Sequence, residues 1–108
     1  TLRTQIAAAR ALVAPLRDGD DSVEARAIIE ALETDVLAPV VDERDRYKAR
    51  DGIVAFAGYF GPFSAAERNL ARAWSSLTDG YPHVALEALD TAEAALGQAE
   101  EAYRRAVS

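Results

Sequence analysis

Cysteine and methionine are both absent from this chain of 108 residues, and histidine occurs once, at His83. Without cysteine there is no disulfide, no thiolate nucleophile and no cysteine–zinc site. One histidine removes the paired Glu-x-x-His sets that hold metals inside helical bundles, so neither a metal nor a cofactor is expected. The missing methionine, even at position 1, points to a processed chain or a piece excised from a longer one. Long apolar runs are also lacking. The most apolar stretch, Ile53 to Phe63, is interrupted by Gly58, Gly61 and Pro62 and falls short of the roughly 18 residues that a membrane span requires. The N-terminus lacks the basic region and apolar run of a secretory signal. Positive charge is scarce as well. The net charge is −6, which repels nucleic acid and anionic lipid unless a local basic stripe exists. None does: Arg44, Arg46, Lys48 and Arg50 alternate with Asp42, Glu43, Asp45 and Asp51, and Arg104 and Arg105 follow Glu100 and Glu101 by one turn.

What is present is helix-forming. Alanine, leucine, arginine and glutamate dominate, and these residues lose little on entering a helix. Arginine outnumbers lysine eleven to one, a bias that fits a GC-rich bacterial genome. Leu2, Ile6, Ala9, Val13 and Leu16 step by four and three, which lays them along one helical stripe. Asp18, Gly19 and Asp20 then supply turn chemistry. A second helix is expected from Asp21 or Ser22, both good N-caps, with Glu24 in the first turn where the helix dipole favours an acid. Its buried face reads Ala25, Ile28, Ile29, Leu32, Val36 and Val40. Pro39 lies inside this pattern and predicts a kink or a break, because proline removes one backbone bond and crowds the preceding turn. Gly52 is a candidate stop.

Gly58-Tyr59-Phe60-Gly61-Pro62-Phe63 reads as an irregular segment. Ser64 and Glu67 beyond it have the spacing of a capping box, which would open a third helix. Leu70, Ala73, Trp74 and Leu77 give that helix its buried stripe, with Trp74 as a core residue. Asp79-Gly80 stops it, and Pro82 suits the first turn of the next. In the last helix Ala85, Leu89, Ala92, Leu96, Ala99, Tyr103 and Ala106 alternate steps of four and three, a seven-residue repeat of mostly small contacts. The expected fold is therefore all-α: one domain over residues 1–108, an up-and-down bundle of about four helices, with an irregular aromatic Gly/Pro segment between the second and third.

Catalytic constellations are hard to assemble. His83 follows Pro82 at a helix start and lacks the basic residue and glycine of a phosphotransfer histidine. Asp18, Asp20 and Asp21 cluster in a loop without the glycine and distal glutamate of an EF-hand. No serine lies in a nucleophile elbow, and the glycines from Gly52 to Gly61 form neither a phosphate loop nor a dinucleotide fingerprint. An enzyme would need Tyr59, Asp79, Tyr81 or His83 to line a pocket with perturbed pKa values, and Asp79, Tyr81 and His83 are the candidates for a polar pocket.

Four aromatics within eight residues, Phe56, Tyr59, Phe60 and Phe63, carry more weight. They either plug an open end of the bundle or form an apolar patch for a partner. Ala73, Gly80, Ala85, Leu89 and Ala92 also fall at the spacing of a tetratricopeptide-type helical hairpin. About a quarter of the chain resembles that motif, with Arg72 where the pattern has leucine and no second copy to stack on. The resemblance implies at most a tendency to bind proteins. The leading expectation is a small helical protein-interaction module that binds a partner protein or itself through the aromatic segment or the last helix. The alternative is a ligand-sensing bundle of a bacterial receptor or exported protein. Residue pattern does not separate a cytoplasmic from an exported location.

Overall fold

In a computed structural model the described residues are 2–18 and 22–107, and all of their regular structure is helical, with no strand among them. Helix α1 spans Leu2–Val13 and tightens into a 3-10 turn at Ala14–Asp18. Helix α2 spans Ser22–Leu32, a π-helical turn covers Glu33–Leu37, and α3 (Ala38–Asp42) and α4 (Arg44–Asp51) follow. Two 26-residue helices, α5 (Ile53–Thr78) and α6 (Pro82–Val107), complete the chain. The principal extents are 42 × 20 × 18 Å, a rod whose length matches those two helices at 1.5 Å per residue.

The stripes foreseen in the sequence are largely the core. Leu2, Ile6, Ala9, Val13 and Leu16 are buried, as are Ala25, Ile29, Leu32 and Val40. In α6, Ala85, Leu89, Ala92, Leu96, Ala99 and Tyr103 are buried, joined by Ala88 and Ala95, while Ala106 is exposed. The small alanine face lets α5 approach closely along its whole length, and this antiparallel pair is the main contact of the fold. Helix α1 packs on α6 and on the π turn, and Arg10 reaches Glu100 at 3.1 Å. Helix α2 runs antiparallel to the second half of α5: Arg26 donates to the Thr78 hydroxyl at 3.3 Å, and the Trp74 indole donates to Glu30 at 2.9 Å. Trp74 is thus half-buried against the core rather than inside it, because its N–H needs a polar partner at the surface.

Two sequence expectations are corrected, and a third falls outside the described residues. First, the Gly58–Phe63 segment is not irregular: it lies within α5, with Pro62 inside the helix. No loop therefore separates a second helix from a third there. Ser64 is a mid-helix residue and caps nothing, since the helix begins eleven residues earlier at Ile53. Second, the helix expected from Ser22 onward is divided into α2, α3 and α4, so the count exceeds four. Pro39 lies inside α3, so no helix ends at the proline itself. The ladder widens one turn earlier, where the Ala38 N–H bonds to the Glu33 carbonyl five residues back, which takes up the missing donor of Pro39 before it is reached. The break falls at Glu43, whose φ of −96° and ψ of 7° leave the helical region. Third, the turn between α1 and α2, with its expected cluster Asp18, Asp20 and Asp21, lies outside what is described, save for the backbone of Asp18.

The stop at Asp79-Gly80 is as foreseen. Gly80 has φ +84°; Tyr81 N–H bonds to the Ser76 carbonyl at 2.8 Å and Gly80 N–H to that of Leu77 at 3.4 Å. These two bonds define a Schellman cap, which needs a left-handed residue at that place.

Candidate functional site

The side chains that most resemble a built site meet at the elbow between α4 and α5. Helix α4 is the least apolar element, Arg-Asp-Arg-Tyr-Lys-Ala-Arg-Asp, and only Tyr47 in it is buried. Gly52, at φ +84° and ψ 158°, ends α4 and begins α5: its N–H bonds to the Lys48 carbonyl and its carbonyl accepts from Phe56, both at 2.9 Å. This change of backbone direction accompanies the contacts that the last two side chains of α4 make with α5 and α6. Arg50 grips Asp51 in a two-point pair, Nε to Oδ1 at 2.9 Å and Nη2 to Oδ2 at 2.8 Å. The same Nη2 donates to the Tyr103 hydroxyl of α6 at 2.9 Å, and the Tyr59 hydroxyl of α5 donates to Asp51 Oδ2 at 2.6 Å. The guanidinium also lies between two rings, 5.3 Å from the centroid of Tyr47 and 5.7 Å from that of Tyr103.

The electrostatics of this clasp follow from its contacts. Asp51 has a side chain only 9% exposed, yet the Arg50 guanidinium holds its carboxyl below the usual carboxylate range against the opposing effect of burial, helped by the Tyr59 hydroxyl. Arg50 is correspondingly harder to deprotonate, chiefly through its bond to Asp51. Burial, and then the neighbouring carboxylate, push the Tyr59 phenol up. A carboxylate pinned by arginine is a poor general acid. A phenol that holds its proton more tightly is a poor base or nucleophile at neutral pH. The chemistry of the cluster is that of a fastener.

The four sequence-nominated aromatics are brought together, but not as an open patch. Tyr59 and Phe63 are fully buried, at 0% and 1% exposure, and Phe56 and Phe60 pack half-buried against them. Phe56 stacks on Phe60 at 4.7 Å and meets Tyr59 edge-on at 5.7 Å; Tyr59 meets Tyr103 edge-on at 5.0 Å. The rings close this end of the core. Asp79, Tyr81 and His83 sit far from them at the α5–α6 turn, all exposed, Tyr81 at 62%. They are not gathered with Tyr59, which lies at the opposite end of α5.

Two surface clefts lie away from the aromatic cluster and from Asp79, Tyr81 and His83. One, of about 600 Å³ between α1 and α6, is lined by Arg10, Gly97, Glu100, Glu101, Arg104 and Arg105, and its charges pair among themselves, Arg10 with Glu100 and Arg104 with Glu101. The other, of about 400 Å³, lies by Gln5, Pro39, Asp42, Glu43, Arg46 and Tyr47. Among the described residues no three histidine or acidic side chains converge as metal ligands, and no helix is long and apolar enough to cross a membrane. Sequence reasoning missed the Arg50–Asp51–Tyr59–Tyr103 clasp. Its only trace was an Arg-Asp pair immediately before a glycine. Comparison with protein-family models, with characterised proteins and with solved structures returned no match.

A separate set of acids, Glu30 of α2, Glu33 of the π turn and Glu67 of α5, sets a pH dependence. Glu33 opens the π turn, and burial, followed by repulsion from Glu67 and Glu30, raises its pKa above 4.5. A group that binds its proton more tightly when folded stabilises the fold fully below its unfolded pKa, and that stability is lost as pH rises through the folded one. Asp51 acts in the opposite sense, and its contribution is lost only as pH falls below the ordinary aspartate value of 3.8. Lowering the pH from neutral towards 4.5 should therefore raise the denaturation midpoint. The rise should be smaller in Glu33→Gln. Equal slopes in the two proteins would remove Glu33 as its cause.

Proposed function

We propose that this chain is a small helical protein-interaction module, and that its docking surface is the apolar end where α5 begins and α6 finishes. The observation that carries the reading is the gathering of exposed aliphatic side chains there. Val54 is 85% exposed, and Ile53 and Val107 are also open to water. Helices α5 and α6 are antiparallel and Tyr59 meets Tyr103. Val107, four residues beyond Tyr103, is therefore level with Ala55, four before Tyr59. The half-buried rings of Phe56 and Phe60 flank the same end. Elsewhere Leu12, Val23, Tyr81 and Leu86 are exposed on separate elements, as single apolar residues commonly are. A grouped patch beside aromatic anchors is the usual character of a docking site.

The partner is a second copy of the chain or another protein with a complementary apolar face. Val54→Glu is the sharpest probe. Position 54 lies in the first turn of α5, where the helix dipole favours an acid, so the substitution should leave stability within about 0.5 kcal/mol. Light scattering over a range of concentrations should show a mass above 11.6 kDa that Val54→Glu returns to the monomer, or cross-linking in the source cell should show a partner that the variant loses. A monomer at every concentration, with cross-links unchanged by Val54→Glu, would sink the reading.

A further inference from the structure

We propose that α4 is a strap that lifts from the bundle as a unit, swinging between Glu43 and Gly52, and that the Arg50–Asp51 pair is the latch that keeps it closed over Tyr59 and Tyr103. The inference does not depend on the docking reading, though opening the strap would join two tyrosine rings to the aliphatic patch beside them.

Both ends of α4 are already broken. Glu43 leaves helical geometry before it, and Gly52, at φ +84° after it, has open space where a Cβ would be. Such residues absorb a change of backbone direction at low cost. The helix between them has little to hold it. Tyr47 is its one buried side chain, whereas α6 buries eight. Its ion pairs Arg46–Glu43 and Lys48–Asp45 are local and exposed, and the Arg44 guanidinium donates to the Val41 carbonyl at 3.2 Å, so these contacts hold the strap at its hinge without fastening its far end to the bundle. What remains is the clasp. Arg50 reaches α6 through Tyr103, and Asp51 reaches α5 through Tyr59. A segment with one apolar anchor and a polar fastening belongs to the low-stability end of a protein's local opening events. The buried end of the clasp makes the latch specific. Asp51 satisfies the Tyr59 hydroxyl, and Tyr59 is otherwise fully enclosed, so strap and core part only when that bond breaks.

Native-state hydrogen exchange followed amide by amide tests this. In the wild-type chain the amides of Lys48 to Gly52 should exchange by a local opening, at least about tenfold faster, after correction for intrinsic rates, than those of Leu89 to Ala99 in the middle of α6. Asp51→Asn keeps the shape of the side chain and removes its charge. It should speed the strap amides by a further factor of about ten, the order expected for losing charge-assisted hydrogen bonds, and leave the α6 amides within about twofold. Tyr59 should become reactive to nitration, with the exposed Tyr81 as the internal reference. If the strap and α6 amides of the wild type exchange together, the strap does not open separately and the proposal is wrong. It is equally wrong if Asp51→Asn accelerates both groups by the same factor. The wild-type measurement decides alone should the variant not fold.

Discussion

Phe63→Ala should lower the stability of the fold by about 3–5 kcal/mol, the usual cost of removing a buried phenylalanine side chain and leaving its cavity. A domain of this size holds on the order of 5–15 kcal/mol, so this one substitution removes a large share of it. The thermal midpoint should fall on the order of 15 °C. The size of the effect decides between two pictures of the aromatic segment. In an irregular loop that offers its rings to a partner, Phe63 would be exposed and its truncation would cost under about 0.5 kcal/mol. In the structure it is 1% exposed and packs with Phe60 at a ring separation of 5.4 Å. Phe60→Ala makes the internal comparison. That ring is half-buried, and its loss should cost clearly less than that of Phe63. Denaturant unfolding of the two variants, with equal m-values, gives both numbers. A loss below 1 kcal/mol for Phe63→Ala would mean that the rings do not close the core.

The helical class and most of the core were legible because periodicity is a direct imprint of burial. The stripe of α1 could be read residue by residue, and that of α6 apart from the exposed Ala106 and the additional buried Ala88 and Ala95. In the second stripe Ile28 and Val36 are only half-buried, and the failure at Val36 has a definite reason. Counting by four from Leu32 selects Val36, yet Leu37 is the buried residue and Val36 only half so. A π turn widens the step to five, which rotates Leu37 into the place that an α-helix would give its neighbour. Nothing in Glu-Thr-Asp-Val-Leu announces that turn, apart from Pro39 just beyond it. The candidate site was half legible. The aromatic cluster is visible in sequence, but its direction is not, because rings that plug a core and rings that bind a partner have the same composition. The clasp was less visible still. Arg50 and Asp51 look like one more solvated pair in a charged stretch, and only the folded structure brings them to two tyrosines from other helices.

The aromatic segment was misread because two signals conflicted and the weaker one was followed. Tyr59, Phe63, Ala66, Leu70 and Ala73 step by four, three, four and three, and all are buried. That stripe starts directly after Gly58 and runs unbroken past Gly61 and Pro62, residues that each disfavour helix on local grounds. Tertiary burial outweighs local propensity here, and the conflict should be measurable. Gly58 and Gly61 have no positive φ, and a Cβ built on either meets nothing within 4 Å. Gly58→Ala and Gly61→Ala should therefore each stabilise the fold by about 0.5–1 kcal/mol. Pro62 lies inside α5, where its ring faces the Gly58 carbonyl and no N–H is offered to it. Pro62→Ala restores that donor, and a helix-interior proline costs about 3 kcal/mol relative to alanine. The three positions lie within about one turn of each other, so their effects need not add, and the triple variant should gain about 2–4 kcal/mol rather than the full sum. Chemical denaturation of the three single variants and the triple checks each step. The opposite sign is the informative failure: if the alanines destabilise, the segment needs glycine's conformations and α5 is not continuous through it.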